Sequence, residues 1–297
     1  MQRLVEAFYP STVRSCLLQA VAHRHGIPKY RIASNPEATE DLAKLRRRTL
    51  FMALSDGARL DILRHSNVGM LGNEQFVVAT QVDADKWKDL LKNLRKEQGE
   101  NAKFAIAYLI DDFMGTGTSF LRYDAATKVW KGKLLRFRES MLAATAEIGE
   151  CPFEEQWELC VHHYIAGFEG AQSIRKREIE ARTQLAHASW CRSLSFSFGT
   201  ILPQDLPLTA DPARQKAMID LTKKYYDPIL RTEHTDVGGV EHLGLGYGGC
   251  GLPLVLEHNT PNNSVALLWA ETEGGSREGG ITAPAMRPLF RRRQRHS

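Results

Sequence analysis

Apolar positions along the chain alternate between the spacing of a helix and the unbroken runs of a buried strand. Residues 1–48 predict a basic, helical segment, in which VRSCLLQAVAHRHG (13–26) sets apolar residues three and four apart. Pro28 and the Asn35-Pro36 pair interrupt it, and DLAKLRRR (41–48) resumes a helix with a basic end. EQFVVATQV (74–82) predicts a strand. ADKWKDLLKNLRKEQ (84–98) predicts an amphipathic helix with Trp87, Leu90, Leu91 and Leu94 on one face. KFAIAYLI (103–110) is apolar throughout, as a central strand covered on both faces must be. ELCVHHYIAG (158–167) and RSLSFSFGTIL (192–202) predict two more strands, with a charged helix at AQSIRKREIEARTQLA (171–186) between them. PARQKAMIDLTKKYYDPIL (212–230) predicts a further helix and SVALLWAE (264–271) a last strand. Strands separated by helices imply an α/β fold: a mostly parallel sheet flanked by helices. The helical N-terminal extension (1–48) then precedes one α/β domain (49–297), since no repeat and no long linker divides the remainder. GGSREGG (274–280) reads as a flexible loop.

One segment concentrates candidate chemistry. In FAIAYLIDDFMGTGTSFLR (104–122) an apolar strand runs into Asp111-Asp112, then Gly115-Thr116-Gly117-Thr118-Ser119, then apolar residues that suggest a helix start. Ligands of parallel sheets bind beyond the carboxyl ends of the strands, where the two aspartates fall. Gly115 and Gly117 permit close backbone approach. Thr116, Thr118 and Ser119 supply hydroxyls, and the N–H groups of a following helix would favour an anion. A phosphate cradle next to a carboxylate pair suits the two hydroxyls of a ribose. A Walker loop is excluded, because no lysine follows Gly117. Aspartates spaced by two, as in haloacid-type phosphatases, do not match this adjacent pair.

This pattern resembles the signature of type I phosphoribosyltransferases: apolar residues, two acidic residues, a short spacer and a Thr/Gly-rich loop. The resemblance implies that Asp111 and Asp112 hold the ribose hydroxyls of phosphoribosyl pyrophosphate. It implies that Gly115, Thr116, Gly117, Thr118 and Ser119 bind the 5′-phosphate, and that Mg²⁺ arrives with the pyrophosphate. Over residues 45–297 the chain also resembles the phosphoribosyltransferase-like effectors of bacterial antiviral conflict systems. LSDGARLDILRHSN (54–67), IDDFMGTGTS (110–119), WELCVHHYIA (157–166) and LPLVLEHNTPNNSVALLWAE (252–271) carry that likeness. It implies a defence effector with a nucleotide-like ligand and a nucleic acid or a defence-system protein as partner, and the odd number of widely spaced cysteines predicts a cytoplasmic location.

Further segments carry alternatives. LFMALSDGARLDIL (50–63) reads either as a pyrophosphate loop at Ser55, Asp56, Gly57 and Arg59 or as part of one helix over 41–64. GLGYGGCG (244–251) has the glycines of a dinucleotide fingerprint, but the strand-like Leu252–Leu256 follows where a helix is required, so it reads as a loop. EHNTPNNS (257–264) has turn chemistry. If the family's base-covering hood lies in this C-terminal part, His258, Asn259, Asn262 and Asn263 would read a base or acceptor edge. His162 and His163 are adjacent on a predicted strand, point to opposite faces and do not share a metal. LLRFRES (134–140) and RPLFRRRQRHS (287–297) interleave arginines with phenylalanine, a composition that suits either a solvated surface or nucleic-acid phosphates.

Composition narrows the picture further. Charged residues are 25% and hydrophobic residues 43% of 297, ordinary for a globular chain and unlike a disordered one. A net charge of +4 is well short of a DNA-coating protein. Five widely spaced cysteines without a CxxC argue against a disulfide framework or zinc site. No signal peptide and no membrane-spanning run is predicted. No nucleophile triad is visible. Phosphoribosyl transfer needs none, since it passes through a cationic sugar comparable to that of glycoside hydrolysis. An enzyme that transfers or cleaves a ribosyl-phosphate group, and a nucleotide-sensing or nucleic-acid-binding module without turnover, both remain open.

Overall fold

A computed structural model describes residues 1–184, 190–277 and 282–290. The chain divides into two compact units. The first comprises residues 1–112, 120–165 and 177–200, the second residues 113–119, 166–176 and 201–297.

In the first unit the N-terminal extension is one helical run: α1 (Gln2–Ala7), a π-helical turn over Phe8–Val13, and α2 (Arg14–His25). Pro10 accounts for the wide turn, since proline has no N–H to donate and its ring crowds the preceding turn. The turn buries Phe8, Tyr9 and Val13. Phe8 stacks on His162 at 4.1 Å between ring centroids and meets Tyr108 and Tyr164 edge-on at 5.5 and 6.1 Å. The extension thus covers strand residues of the sheet. Phe8→Ala is expected to destabilise the protein by about 3–5 kcal/mol, the cost of a large aromatic cavity. A lowered urea midpoint at unchanged slope would show it.

After Gly26 and a short 3₁₀ stretch, α3 (Pro36–Arg47) begins as its sequence dictates: Asn35 accepts the Ala38 N–H and Pro36 occupies the first turn. A fully buried strand, β1 (Thr49–Ala53), follows, and then α4 (Leu60–Ser66). The single-helix reading of 41–64 is therefore overturned. Leu50, Phe51 and Met52 are apolar on both faces of β1 and fully enclosed, which a surface helix would not allow.

The predicted strand at 74–82 shrinks to β2 (Phe76–Val77). Here the buried Gln75 amide donates to the carbonyls of Arg46 and Thr49 and holds the chain in a tight turn. α5 (Ala84–Gln98) has the predicted bounds and buries Trp87, Leu90, Leu91 and Leu94. β3 (Phe104–Met114) runs four residues past the predicted end at 110, through both aspartates, and its burial continues through Asp111.

The sheet order is β2-β1-β3-β6-β7, with β6 (Phe153–Ala166) and β7 (Ser193–Ile201) reached through α6 (Lys133–Ile148) and α7 (Phe168–Gln184). Registers such as Thr49 opposite Ile106 and Ala53 opposite Ile110 are parallel. Phe104 N–H donates to Pro152, and Gly167 N–H to Met114, so β3 and β6 also advance together. The sheet is parallel and flanked by helices. The predicted helix at 171–186 starts earlier, at Phe168, and its last two predicted residues lie outside the described ones.

The second unit is less regular. The helix expected over 212–230 is α8 (Lys216–Lys224), and a separate 3₁₀ turn follows at Pro228–Leu230, where Asp227 caps the Ile229 N–H. Asp227 is fully buried and takes a forked pair of hydrogen bonds from Arg277 at 2.9 and 2.7 Å. The predicted strand at 264–271 is instead a single bridge at Ser264 followed by a 3₁₀ turn over Ala266–Leu268. Val265, Ala266 and Ala270 are buried, and burial alone does not distinguish the two conformations in a short apolar run. Among the described residues no helix is long and apolar enough to cross a membrane.

Candidate functional site

The first part of the site is the carboxyl end of β3 together with the loop after β1. Leu54 N–H donates to Ile110 C=O, so the two strands end side by side. Beyond that bond the chain turns on Ser55, whose Oγ accepts the Gly57 N–H at 3.2 Å. The same hydroxyl donates to Asp111 Oδ1. At Gly57 a Cβ would overlap the Asp112 carboxylate, so only glycine lets the loop lie this close. Arg59 enters α4 with φ +47°, a left-handed conformation that costs a non-glycine residue roughly 1–2 kcal/mol. Its guanidinium lies 3.6 Å from Asp61. The Ala58 carbonyl accepts the buried Tyr164 hydroxyl at 3.1 Å, which fixes the loop to β6 from beneath. The structure thus brings Ser55, Gly57, Asp111 and Asp112 together.

Asp111 is buried, yet every contact of its carboxylate favours the ionised form. Oδ2 accepts the Lys133 ammonium at 2.6 Å, and Oδ1 accepts the Ser55 hydroxyl and the Asp112 N–H at 3.1 Å. Burial pulls its pKa upward, but Lys133, His163 and Ser55 outweigh that and hold the carboxyl below the usual range. Lys133 was not among the sequence candidates. It lies beyond a hairpin, 22 residues past Asp111, as the first residue of α6. One sequence signal was available: a cation at a helix N-terminus opposes the helix dipole and calls for a partner.

His162 and His163 do face opposite sides of β6. His162 stacks on Phe8 and bonds Ser197 at 2.9 Å, while His163 meets Phe120 edge-on at 6.1 Å. Burial pushes their pKa values down to about 3 and about 4, so both are neutral at pH 7. Among the described residues no group of three or more His, Cys, Asp or Glu is placed to hold a metal ion.

In the second unit, the loop at 115–119 does not lead into a helix, contrary to the sequence expectation. It passes through a turn into a hairpin of β4 (Arg122–Asp124) and β5 (Val129–Lys131), and α6 begins only at Lys133. Local chemistry explains the hairpin. Asp124 accepts the Ala126 and Thr127 N–H groups, Lys128 takes φ +56°, and Tyr123 pairs across the strands with Trp130. The helix-terminus contribution to anion binding is therefore absent at this loop, and its own groups remain. Thr116 and Thr118 hydroxyls lie 2.9 Å apart, and Gly117 has φ +74°.

The glycine segment 244–251 lies on this loop. The Tyr247 hydroxyl is 3.0 Å from Thr118 Oγ1, and the Gly248 α-carbon faces the Thr116 methyl. The Asn263 side chain packs on the Gly115 α-carbon and donates to the Tyr247 carbonyl at 3.1 Å. Tyr247 was invisible in the sequence, because GLGYGGCG matches a nucleotide fingerprint whose strand and helix are missing. Of the hood candidates, Asn259 closes a tight turn with Leu256, and the Asn262 carbonyl accepts the Tyr247 N–H at 2.7 Å. His258 is half-buried in that turn. In LLRFRES, Phe137 is fully buried within α6, so its ring is not available for stacking on bases. Arg287 pairs with Glu273 at 2.9 Å, and residues 291–297 of the basic end lie outside the described ones.

No curated protein and no solved structure matches the chain. A family model described as PRTase-CE matches residues 3–292, from the N-terminal helix to the basic end. The parallel sheet, the acidic pair at the end of its central strand and the Gly/Thr loop after it agree with that match. The chain belongs to the PRTase-CE family and is a phosphoribosyltransferase-like protein.

Proposed function

We propose that the chain binds phosphoribosyl pyrophosphate or a related ribonucleotide and transfers or cleaves its ribosyl-phosphate group. The acidic pair takes the ribose hydroxyls, Gly115–Ser119 the 5′-phosphate, and Ser55, Asp56, Gly57 and Arg59 the pyrophosphate. The observation that carries this reading is the approach of loop 55–59 to the acidic pair, through the Ser55–Asp111 hydrogen bond and the contact of Gly57 with Asp112. A turn of that shape beside two carboxylates offers backbone N–H groups and one guanidinium to a leaving anion. The aspartates orient the sugar and offset positive charge that develops on it.

Both Asp111 oxygens are engaged, so these residues do not form a cage for Mg²⁺. An ion arriving with the ligand would be held by pyrophosphate oxygens and water. The likeness to conflict-system effectors supports a role in antiviral defence, with a base, nucleotide or nucleic acid as acceptor. His258, Asn259 and Asn262 remain the candidates for acceptor contact.

The engaged Asp111 carboxylate also favours a second reading, a nucleotide sensor that binds without turnover. Calorimetry with phosphoribosyl pyrophosphate, run beside an assay for released pyrophosphate, separates the two. Thr116→Val with Thr118→Val is expected to weaken binding about 10-fold or more, by the loss of two hydrogen bonds to a charged group. Equal affinity in parent and variant would sink the phosphate assignment. Binding without any released pyrophosphate would leave the sensor.

A further inference from the structure

Two adjacent aspartates at the end of one strand invite equal roles, but their surroundings differ. Successive side chains of a strand point to opposite faces, and the two carboxylates here meet different partners. Asp111 is 5% exposed and engaged at both oxygens, with the Lys133 ammonium on one and the Ser55 hydroxyl and Asp112 N–H on the other. The charged and titratable groups around it are Lys133 from α6, His163 and Tyr164 from β6 and Asp112 beside it on β3, with the hydroxyl of Ser55 from the 55–59 loop. His163 is buried and neutral at pH 7, so Lys133 supplies the countercharge. Asp112 is only half-buried, with its carboxylate against the Gly57 backbone.

The lysine is not explained by its own helix. It stands in the first turn of α6, where the dipole disfavours a cation. Its side chain is only 20% exposed, against 8% for Asp111. Desolvating such a pair is costly, and replacing it by apolar residues is often neutral or stabilising. Stability alone is therefore a poor reason for an ion pair at this point.

We propose that Lys133 is a positioning residue: through its ion pair it fixes Asp111 as the anchor of the 55–59 loop, and Asp112 is the carboxylate that meets the ribose hydroxyls. The inference rests on the ribosyl reading of the site and divides its labour. With Lys133 in place, Asp111 keeps its charge and its grip on Ser55 over the pH range in which an ordinary aspartate is ionised. Without Lys133 the buried carboxylate has lost its countercharge, so it takes up a proton at higher pH. Protonation at the vacated Oδ2 turns the charge-assisted Ser55–Oδ1 hydrogen bond into a weaker neutral one, and the loop's anchor loosens.

The experiment measures two things from pH 4 to 8: the ¹³C carboxylate titration of Asp111, which needs no ligand, and calorimetric affinity for phosphoribosyl pyrophosphate. The proteins are the parent, Lys133→Met, Lys133→Arg, and the double variant Asp111→Asn/Lys133→Met, which removes both charges and keeps the site folded if either single change does not. Lys133→Met is expected to raise the Asp111 titration and to weaken binding about 10-fold at pH 5–6, with recovery as pH rises. Lys133→Arg should restore a flat profile, and the double variant should bind weakly at every pH. If the titration moves while affinity and its pH profile stay at the parent's, Lys133 is merely structural and the proposal falls. If the double variant binds as the parent does, Asp111 anchors nothing and the proposal falls as well. If the parent itself binds no ribosyl phosphate, the ribosyl reading fails first, a result distinct from either.

Discussion

Asp112→Asn is expected to lower affinity for phosphoribosyl pyrophosphate, and any turnover, more than any other single change on β3. The substitution nearly preserves shape and removes a charge. The side chain is half-buried at the carboxyl end of a parallel strand, where ligands of such sheets bind. If the sugar becomes cationic during reaction, the carboxylate strengthens its hold in the transition state. Turnover should then fall further than binding. A loss of about 100-fold in rate corresponds to about 2.7 kcal/mol. Pyrophosphate release and calorimetry on the same preparation test this. A variant that binds and turns over as the parent does would remove Asp112 from the site.

Gly57→Val should be nearly as severe for a different reason. Its Cβ would occupy the space of the Asp112 carboxylate, so either the loop or the carboxylate must leave its place. An outward shift of the loop breaks the Ser55–Asp111 hydrogen bond and takes its backbone N–H groups from the acidic pair, and a displaced Asp112 carboxylate loses its place beside them. Binding of pyrophosphate-bearing ligands should fall at least about 10-fold, one lost charge-assisted contact. Ligands that carry only a 5′-phosphate should lose much less. Since Gly57 does not sit at positive φ, Gly57→Ala tests the same overlap with a smaller group and should give an intermediate loss. Equal losses for both ligand classes would mean that the loop does not serve the pyrophosphate.

The sequence showed the sheet well because its central strands are apolar on both faces and, as in Phe104–Ile110, rich in aromatic and β-branched residues. α5 was legible to the residue because Asp83 caps it and its four buried positions keep helical spacing. The acidic pair and the Gly/Thr loop were visible as a motif. What the motif did not contain was context. Ser55 and Gly57 reach Asp111 and Asp112 through parallel pairing of β1 with β3, a contact between segments distant in sequence. Lys133 reaches Asp111 only after the hairpin of β4 and β5, and the sequence suggests a helix start there because the apolar Phe120 and Leu121 just before the hairpin suit either. In the second unit the failures share a cause. Val265–Ala270 is buried without regular pairing, and a short apolar run does not report which conformation buries it.

The wide turn at Pro10 also bears on how the chain reaches its final state. Phe8 leaves the ribosome well before its partners Tyr108, His162 and Tyr164, which lie on strands made much later. During synthesis the N-terminal helix must therefore persist with Val5, Phe8, Tyr9 and Val13 unsheltered, or form only when the sheet arrives. Contacts of such sequence separation slow folding, because loop closure must precede any gain from packing. An apolar stripe waiting for its sheet is where a nascent chain of this protein is most open to a chaperone or to misassociation with another copy.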